Sequence, residues 1–233
     1  MHDTVRLLRH RVRRLRGPDG PNRLRRYVEQ RVDQAGALAW SRLEHARPVA
    51  PFDGDPRFAL LTVNFSTTRY LKLMLLTLAE QRALAHVHRI IIVDNGSRDG
   101  GVPFLRALAW RVDRVHVTEH RRFVNHARGM RAGVPTLDRA EAEDPMVTRS
   151  NLLLFCDPDV IFVNPTTILD LGAAVVEHDA VFAGELRRQP PDLDAQASFF
   201  VVRRDTYARP DIAPLVNHVH RHCGCNAVSC VRG

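Results

Sequence analysis

Short apolar runs separated by helix-prone polar stretches set the rhythm of this chain from Phe58 onward. Phe58-Ala59-Leu60-Leu61-Thr62-Val63, Arg89-Ile90-Ile91-Ile92-Val93 and Leu152-Leu153-Leu154-Phe155-Cys156 are too short for buried helices and lead toward turn residues, so they predict strands buried on both faces. Val115-His116-Val117, Ala180 to Ala183 and Ser198 to Val202 predict further strands. Between them, Leu71 to Leu84 places Leu71, Leu75 and Leu78 on one helical face, and Pro103 to Trp110, Asn125 to Gly133 and Pro165 to His178 also predict helices. Strands alternating with helices predict an α/β fold with a mostly parallel sheet covered on both faces.

Residues 1–47 are different in kind. Val5, Leu7, Leu8, Val12 and Leu15 lie among Arg6, Arg9, Arg11, Arg13, Arg14 and Arg16, and a second helical pattern runs from Arg23 to Glu44 after the break at Gly17-Pro18-Asp19-Gly20-Pro21. This basic helical extension fits either a packed, solvated helix or one lying on an anionic membrane surface. Residues 48–57 read as a linker, 58–218 as the α/β domain, and 219–233 as a tail of another character.

Charge and cysteine usage narrow the partners. The net charge of +8 favours anionic ones: nucleotide diphosphates, acidic lipid surfaces or nucleic acid. Cys156 stands alone in an apolar run as a reduced core thiol, and Cys223, Cys225 and Cys230 crowd the end of the chain, so no disulfide framework is visible. No apolar h-region opens the chain and no stretch is long enough to span a bilayer, so the expected compartment is the cytoplasm or the inner face of the cell membrane.

Two strand ends carry candidate chemistry. The strand Leu152 to Cys156 runs straight into Asp157-Pro158-Asp159-Val160. Carboxylates two residues apart at that edge, stiffened by Pro158, suit a hard cation held against phosphates, although the same pattern also serves as a plain turn. At the end of another strand, Asp94-Asn95-Gly96-Ser97 offers a carboxylate in a loop of small residues. Asp94 there either accepts hydrogen bonds from a base or ribose, or closes a polar turn and caps the next helix.

Val93-Asp94-Asn95-Gly96-Ser97-Arg98-Asp99-Gly100, Leu61-Thr62-Val63-Asn64-Phe65 and Leu154-Phe155-Cys156-Asp157-Pro158-Asp159-Val160 together resemble the family 2 glycosyltransferases. The resemblance covers roughly Phe58 to Val216, points loosely toward bacterial polysaccharide and rhamnosyl transferases, and implies a GT-A, Rossmann-like fold. It further implies an enzyme that moves a sugar from a UDP-, GDP- or dTDP-sugar to a hydroxyl of a saccharide or lipid-linked acceptor, with inversion and with Mg²⁺ or Mn²⁺. By position it implies that Asn64 and Phe65 line the base pocket, that Asp94 with Asn95 binds base or ribose, and that Arg128 faces the diphosphate. Asp157 would contact the ribose or support the metal shell, and Asp159 would coordinate the ion. His126 is either a partner in that site or a surface histidine. The family's acidic pair for the general base has no match here; Glu185 is the best single candidate for that role.

The segment His218 to Cys230 holds His and Cys side chains, but without the two separated ligand pairs of a zinc site. Reverse-translated and shifted by one nucleotide after the His218 codon, it permits a helical string that resembles the transferases again. A frameshifted end is therefore expected, with the acceptor side of the domain affected. Two other readings stand beside the enzyme: a catalytically impaired remnant that binds nucleotide-sugar, and an Arg-rich protein of membrane surfaces or nucleic acid. Nucleic acid is not the expected partner.

Overall fold

The computed structural model describes residues 54–124, 126–178, 180, 182–189, 192–208, 216–219 and 226–230; over 185–189, 192–197 and the last two segments it describes backbone only. The basic extension over 1–47 and the start of the linker lie outside the described residues.

The apolar runs form the strands predicted for them. β1 (Phe58–Asn64), β2 (Val87–Asp94), β3 (Val115–Glu119) and β4 (Leu152–Cys156) are parallel, in the order β3-β2-β1-β4. β6 (Asp192–Arg203) pairs antiparallel with β4, and β5 (Phe182–Gln189) pairs antiparallel with β6. β7 (Val216–Val219) and β8 (Asn226–Cys230) extend the sheet by antiparallel pairing, with β8 against β6. The tail is thus joined to the domain through β8, while 220–225 and 231–233 lie outside the described residues.

Period-two alternation splits the strands between two cores. Phe58, Leu60, Ile90, Ile92, Leu152, Leu154 and Cys156 face α1 (Thr68–Ala79), α2 (Val102–Arg111) and α4 (Thr167–Glu177). Ala59, Leu61, Val63, Ile91, Val93, Leu153 and Phe155 face α3 (His126–Glu143).

Two predicted helices differ in extent. The run from Leu71 ends as an α-helix at Ala79, and Arg82–His86 is a separate 3₁₀ turn, because Gln81 turns away to bond the Asn164 carbonyl at 2.7 Å. α3 continues beyond Gly133, through Pro135, to Glu143. Burial of Leu137, Ala140 and Glu141 offsets the hydrogen bond that proline removes. Ala127, Gly129 and Gly133 let this helix approach the sheet; a Cβ on Gly129 would lie 3.0 Å from a Val63 methyl.

This topology fixes where a ligand can bind. The β1-α1-β2 and β2-α2-β3 crossovers lie on one face, and β3-α3-β4 returns to the far side of β1 across the other. The chain therefore diverges between the carboxyl ends of β1 and β4, the switch point where open α/β sheets bind ligands.

Candidate functional site

Asn64 ends β1 fully buried, and its amide organises the edge. Nδ2, with two hydrogens to donate, lies within hydrogen-bond distance of Asp94 Oδ1 (2.9 Å), Ser97 Oγ (3.0 Å) and Thr68 Oγ1 (3.1 Å), while Oδ1 accepts from the Thr67 hydroxyl (3.0 Å). Asp94 ends β2 at 2 % exposure, and its second oxygen accepts from the Ser97 amide (3.1 Å). Both oxygens of Asp94 thus tie the first two loops together. Through these bonds the carboxylate closes a polar turn, and among the described residues it caps no helix.

Asp99 is the residue that caps one. Thr67 precedes α1 without a side-chain cap, and Asp99 Oδ2 accepts from the Thr68 amide instead (2.8 Å), while Oδ1 accepts from Gly101 (3.1 Å). Burial pushes this carboxyl up, but the amides of Thr68 and Gly101 and the Thr68 hydroxyl outweigh it and hold the pKa below the usual value. Ser66 between these loops has φ of 56°, a left-handed conformation, and hydrogen bonds with Ser97 Oγ (2.8 Å) and the Arg98 amide (2.9 Å) keep it there.

A third loop, after β3, is pinned by Asn95. Its side chain donates to the Val124 carbonyl and accepts from the Val124 amide, both at 2.8 Å. Gly96, at φ of 76°, has the backbone of Arg122 and Phe123 against it; a Cβ would come within 3.1 Å. The result brings Phe123 onto Phe65, ring centroids 4.5 Å apart, as a half-exposed aromatic pair. Phe123 was not singled out from the sequence, because a Phe after two arginines carries no periodic signal; only the Asn95 clamp reveals its place.

On the other side of the switch point, β4 delivers Asp157. Leu61 pairs with Phe155, so Asp157 stands level with Val63 on the adjacent strand. Its amide donates to the Ser198 carbonyl (2.7 Å). Asp157 Oδ1 is shielded from solvent and makes no well-aligned hydrogen bond; His126 Nε2, on the first residue of α3, lies 3.0 Å away. Asp159 is exposed beyond the buried Pro158. Behind them Cys156 is buried and free; burial, then the charges of Asp157 and Asp159, push its thiol well above the ordinary range, which keeps it inert.

A hard divalent cation fits this pair of carboxylates. Asp157 carries an oxygen with no well-aligned donor, Asp159 is open to solvent, and both are oxygen ligands. Among the described residues no three His, Cys, Asp or Glu side chains come together.

Arg128 is half-buried in the first turn of α3. Glu185 lies on β5, its side chain outside the description. The register still locates its backbone: Gly184 pairs with Phe200, and Phe200 with Phe155, so Glu185 follows at the level of Cys156, two strands across. Pairing of β5 with β6 is irregular between Gly184 and Leu186. The structure therefore brings Asn64, Asp94 and Asn95 into one hydrogen-bonded group with Phe65 next in the chain, joins Asp157 to His126, and sets the Glu185 backbone along the same edge.

No family model matches the sequence, and no curated protein matches it. Solved structures match in fold. The mannosyltransferase PcManGT from Pyrobaculum calidifontis, in complex with GDP-Man and Mn²⁺, aligns with a TM-score of 0.51 at 14 % identity, over 75 % of this chain and 54 % of that one. TarS 1-349 of S. aureus aligns at 0.46 and 15 % identity over 63 % and 47 %, and its complex with UDP-GlcNAc at 0.42 and 17 % identity over 58 % and 37 %. The chain spans about half the length of the first two. The fold is of the GT-A type, as the likeness to the mannosyltransferase shows.

Proposed function

We propose that this chain is a glycosyltransferase that takes a sugar from a nucleotide-diphosphate donor to a hydroxyl acceptor, with inversion at the anomeric carbon. The observation that carries the reading is the meeting of the Asn64–Asp94 group and the Asp157–Asp159 pair on either side of the β1/β4 switch point. A nucleotide laid across that edge has an aromatic pair, Phe65 and Phe123, for its base and carboxylates for the cation that its diphosphate requires. The mannosyltransferase of similar fold carries GDP-Man and Mn²⁺, which supports the same ligand class here.

In this reading Asp157 and Asp159 hold Mg²⁺ or Mn²⁺, which neutralises charge on the departing diphosphate. Asp94 and Asn95 act by shaping the loops around the nucleoside, and Arg128 adds positive charge from the start of α3. The acceptor oxygen attacks the anomeric carbon as the bond to the diphosphate breaks, and its proton passes to a carboxylate. Glu185 is the candidate for that proton, supported by its place along the same sheet edge. The acceptor is a saccharide or a lipid-linked one.

The test is calorimetric titration of the full chain with UDP, GDP and dTDP, with and without Mn²⁺. Divalent-dependent affinity for one of them, lost in Asp159→Ala with the fold intact, is the expected outcome. The absence of any such affinity, or its survival in the variant, would overturn the assignment.

A further inference from the structure

Every nucleobase has an aromatic face, so a platform made of Phe65 and Phe123 discriminates little between bases. The choice falls to polar side chains around the pair. Three loops meet there, after β1, β2 and β3, and their acceptor side chains are engaged within the protein. Asp94 turns its two oxygens to the Asn64 amide and the Ser97 N–H, and it is buried. Asn95, also buried, gives both ends of its side-chain amide to Val124. Asn64 Oδ1 accepts from the Thr67 hydroxyl, and Asp99 accepts from the Thr68 and Gly101 amides, one on each oxygen. Glu119, at the end of β3, is held by Arg106 through two hydrogen bonds of 2.7 Å.

The cations of the same loops are not engaged in this way. Arg98, Arg121 and Arg122 are exposed, and among the described residues none of them has an ion pair. Backbone contacts set them beside the aromatic pair. The Arg98 amide donates to Ser66 Oγ (2.9 Å), and Ser66 follows Phe65 in the chain. Arg122 has its backbone against Gly96 and stands directly before Phe123, with Arg121 before it. A guanidinium carries five N–H donors and no acceptor. The side chains left open around the pair are therefore donors.

We propose, resting on the reading of this chain as a nucleotide-sugar transferase, that the base of its donor is guanine, selected by Arg98 and the Arg121–Arg122 pair. Guanine carries two acceptors side by side, O6 and N7, and one guanidinium spans both. Adenine sets an amino donor beside N7, and uracil and thymine offer the single acceptor O4 on the corresponding edge. Those edges leave donors of the loops or of the base unmatched, and unmatched polar groups are what separates similar ligands strongly.

The experiment is calorimetric titration of the full chain, in the presence of Mn²⁺, with GDP, inosine diphosphate, 7-deaza-GDP, ADP, UDP and dTDP. Inosine diphosphate lacks the 2-amino group of guanine but keeps O6 and N7, whereas 7-deaza-GDP lacks N7. GDP and inosine diphosphate should bind alike, at least about tenfold more tightly than the others. In Arg98→Met/Arg121→Met/Arg122→Met the lost charge weakens every diphosphate, so the ratio of GDP to UDP affinity is the readout, and it should fall toward one. A urea curve on the same variant checks the loops; if its midpoint shifts, Arg98→Met alone should still lower the ratio. UDP or dTDP binding as tightly as GDP would overturn the guanine assignment and leave the donor reading standing. Mn²⁺-dependent binding of none of the nucleotides would overturn both. Inosine diphosphate at least about tenfold weaker than GDP would overturn the assignment to O6 and N7. An undiminished ratio in the variants would overturn the role of the arginines.

Discussion

His126 Nε2 lies 3.0 Å from Asp157 Oδ1, an oxygen shielded from solvent that makes no well-aligned hydrogen bond. The imidazole beside it is supplied from the start of α3. Replacing His126 by Ala should lower the stability of the ligand-free protein by about 1 kcal/mol, because a shielded carboxylate oxygen loses that partner. In the proposed metal site a bound cation compensates for that loss. The rise in unfolding temperature on adding Mn²⁺ and nucleotide should therefore be larger in His126→Ala than in wild type. An equal or smaller rise would argue against a cation at Asp157.

Asn95→Ala removes both hydrogen bonds to Val124 and leaves a backbone amide and carbonyl without their partner. Urea unfolding should show a loss of about 2–4 kcal/mol, the cost of leaving buried backbone groups unsatisfied around one buried side chain. The loop carrying Phe123 should loosen with it, so nucleotide affinity should fall in the same variant.

Phe123→Ala separates the binding role from the structural one. The ring is 37 % exposed and lies tilted against Phe65, so its removal costs little core burial. If the pair receives a nucleobase, affinity should drop by roughly tenfold, the lower part of the range for base–aromatic stacking, with the unfolding midpoint nearly unchanged. Calorimetry beside a urea curve on the same sample reads both.

Asp99 gives a pH signature with a defined sign. Its folded pKa is depressed below the ordinary 3.8, so its stabilisation is fully present above that value and is lost as pH falls through the lower folded pKa. Asp99→Asn weakens acceptance from the Thr68 and Gly101 amides, which should cost about 1 kcal/mol at neutral pH, the usual worth of a helix cap. The gap between wild type and variant should stay constant from neutral pH down to about 4 and close below it. A gap that closes above pH 5 would mean the carboxylate is not held by those amides.

The strands were legible because a buried parallel strand is a continuous apolar run, and Leu60, Ile91 and Leu153 needed no context to declare themselves. Cys156 as an inert core thiol was legible on the same ground. The end of α3 was not: the helix was expected to stop at Gly133, and only the packing of Leu137 and Ala140 carries it through Pro135. The strand ends bearing Asp94 and Asp157 were also recognisable, since a carboxylate after an apolar run signals an edge. What those carboxylates hold was not, because Asp94 spends its oxygens on Asn64 and Ser97 and Asp157 faces His126 from another element.

The sequence by itself determined the class of fold and the two places where chemistry could sit, because apolar periodicity and strand-end turns are local properties of consecutive residues. Only the tertiary structure decided that the rings of Phe65 and Phe123 meet, that Asn95 clamps Val124, and that Asp99 caps a helix thirty-one positions earlier at Thr68. It alone also left Tyr70, Leu73 and Leu76 of α1 exposed among the described residues. Such contacts join residues whose separation along the chain carries no pattern. They exist because the order β3-β2-β1-β4 brings the loops after β1, β2 and β3 to the same edge, where each satisfies polar groups that the others leave open.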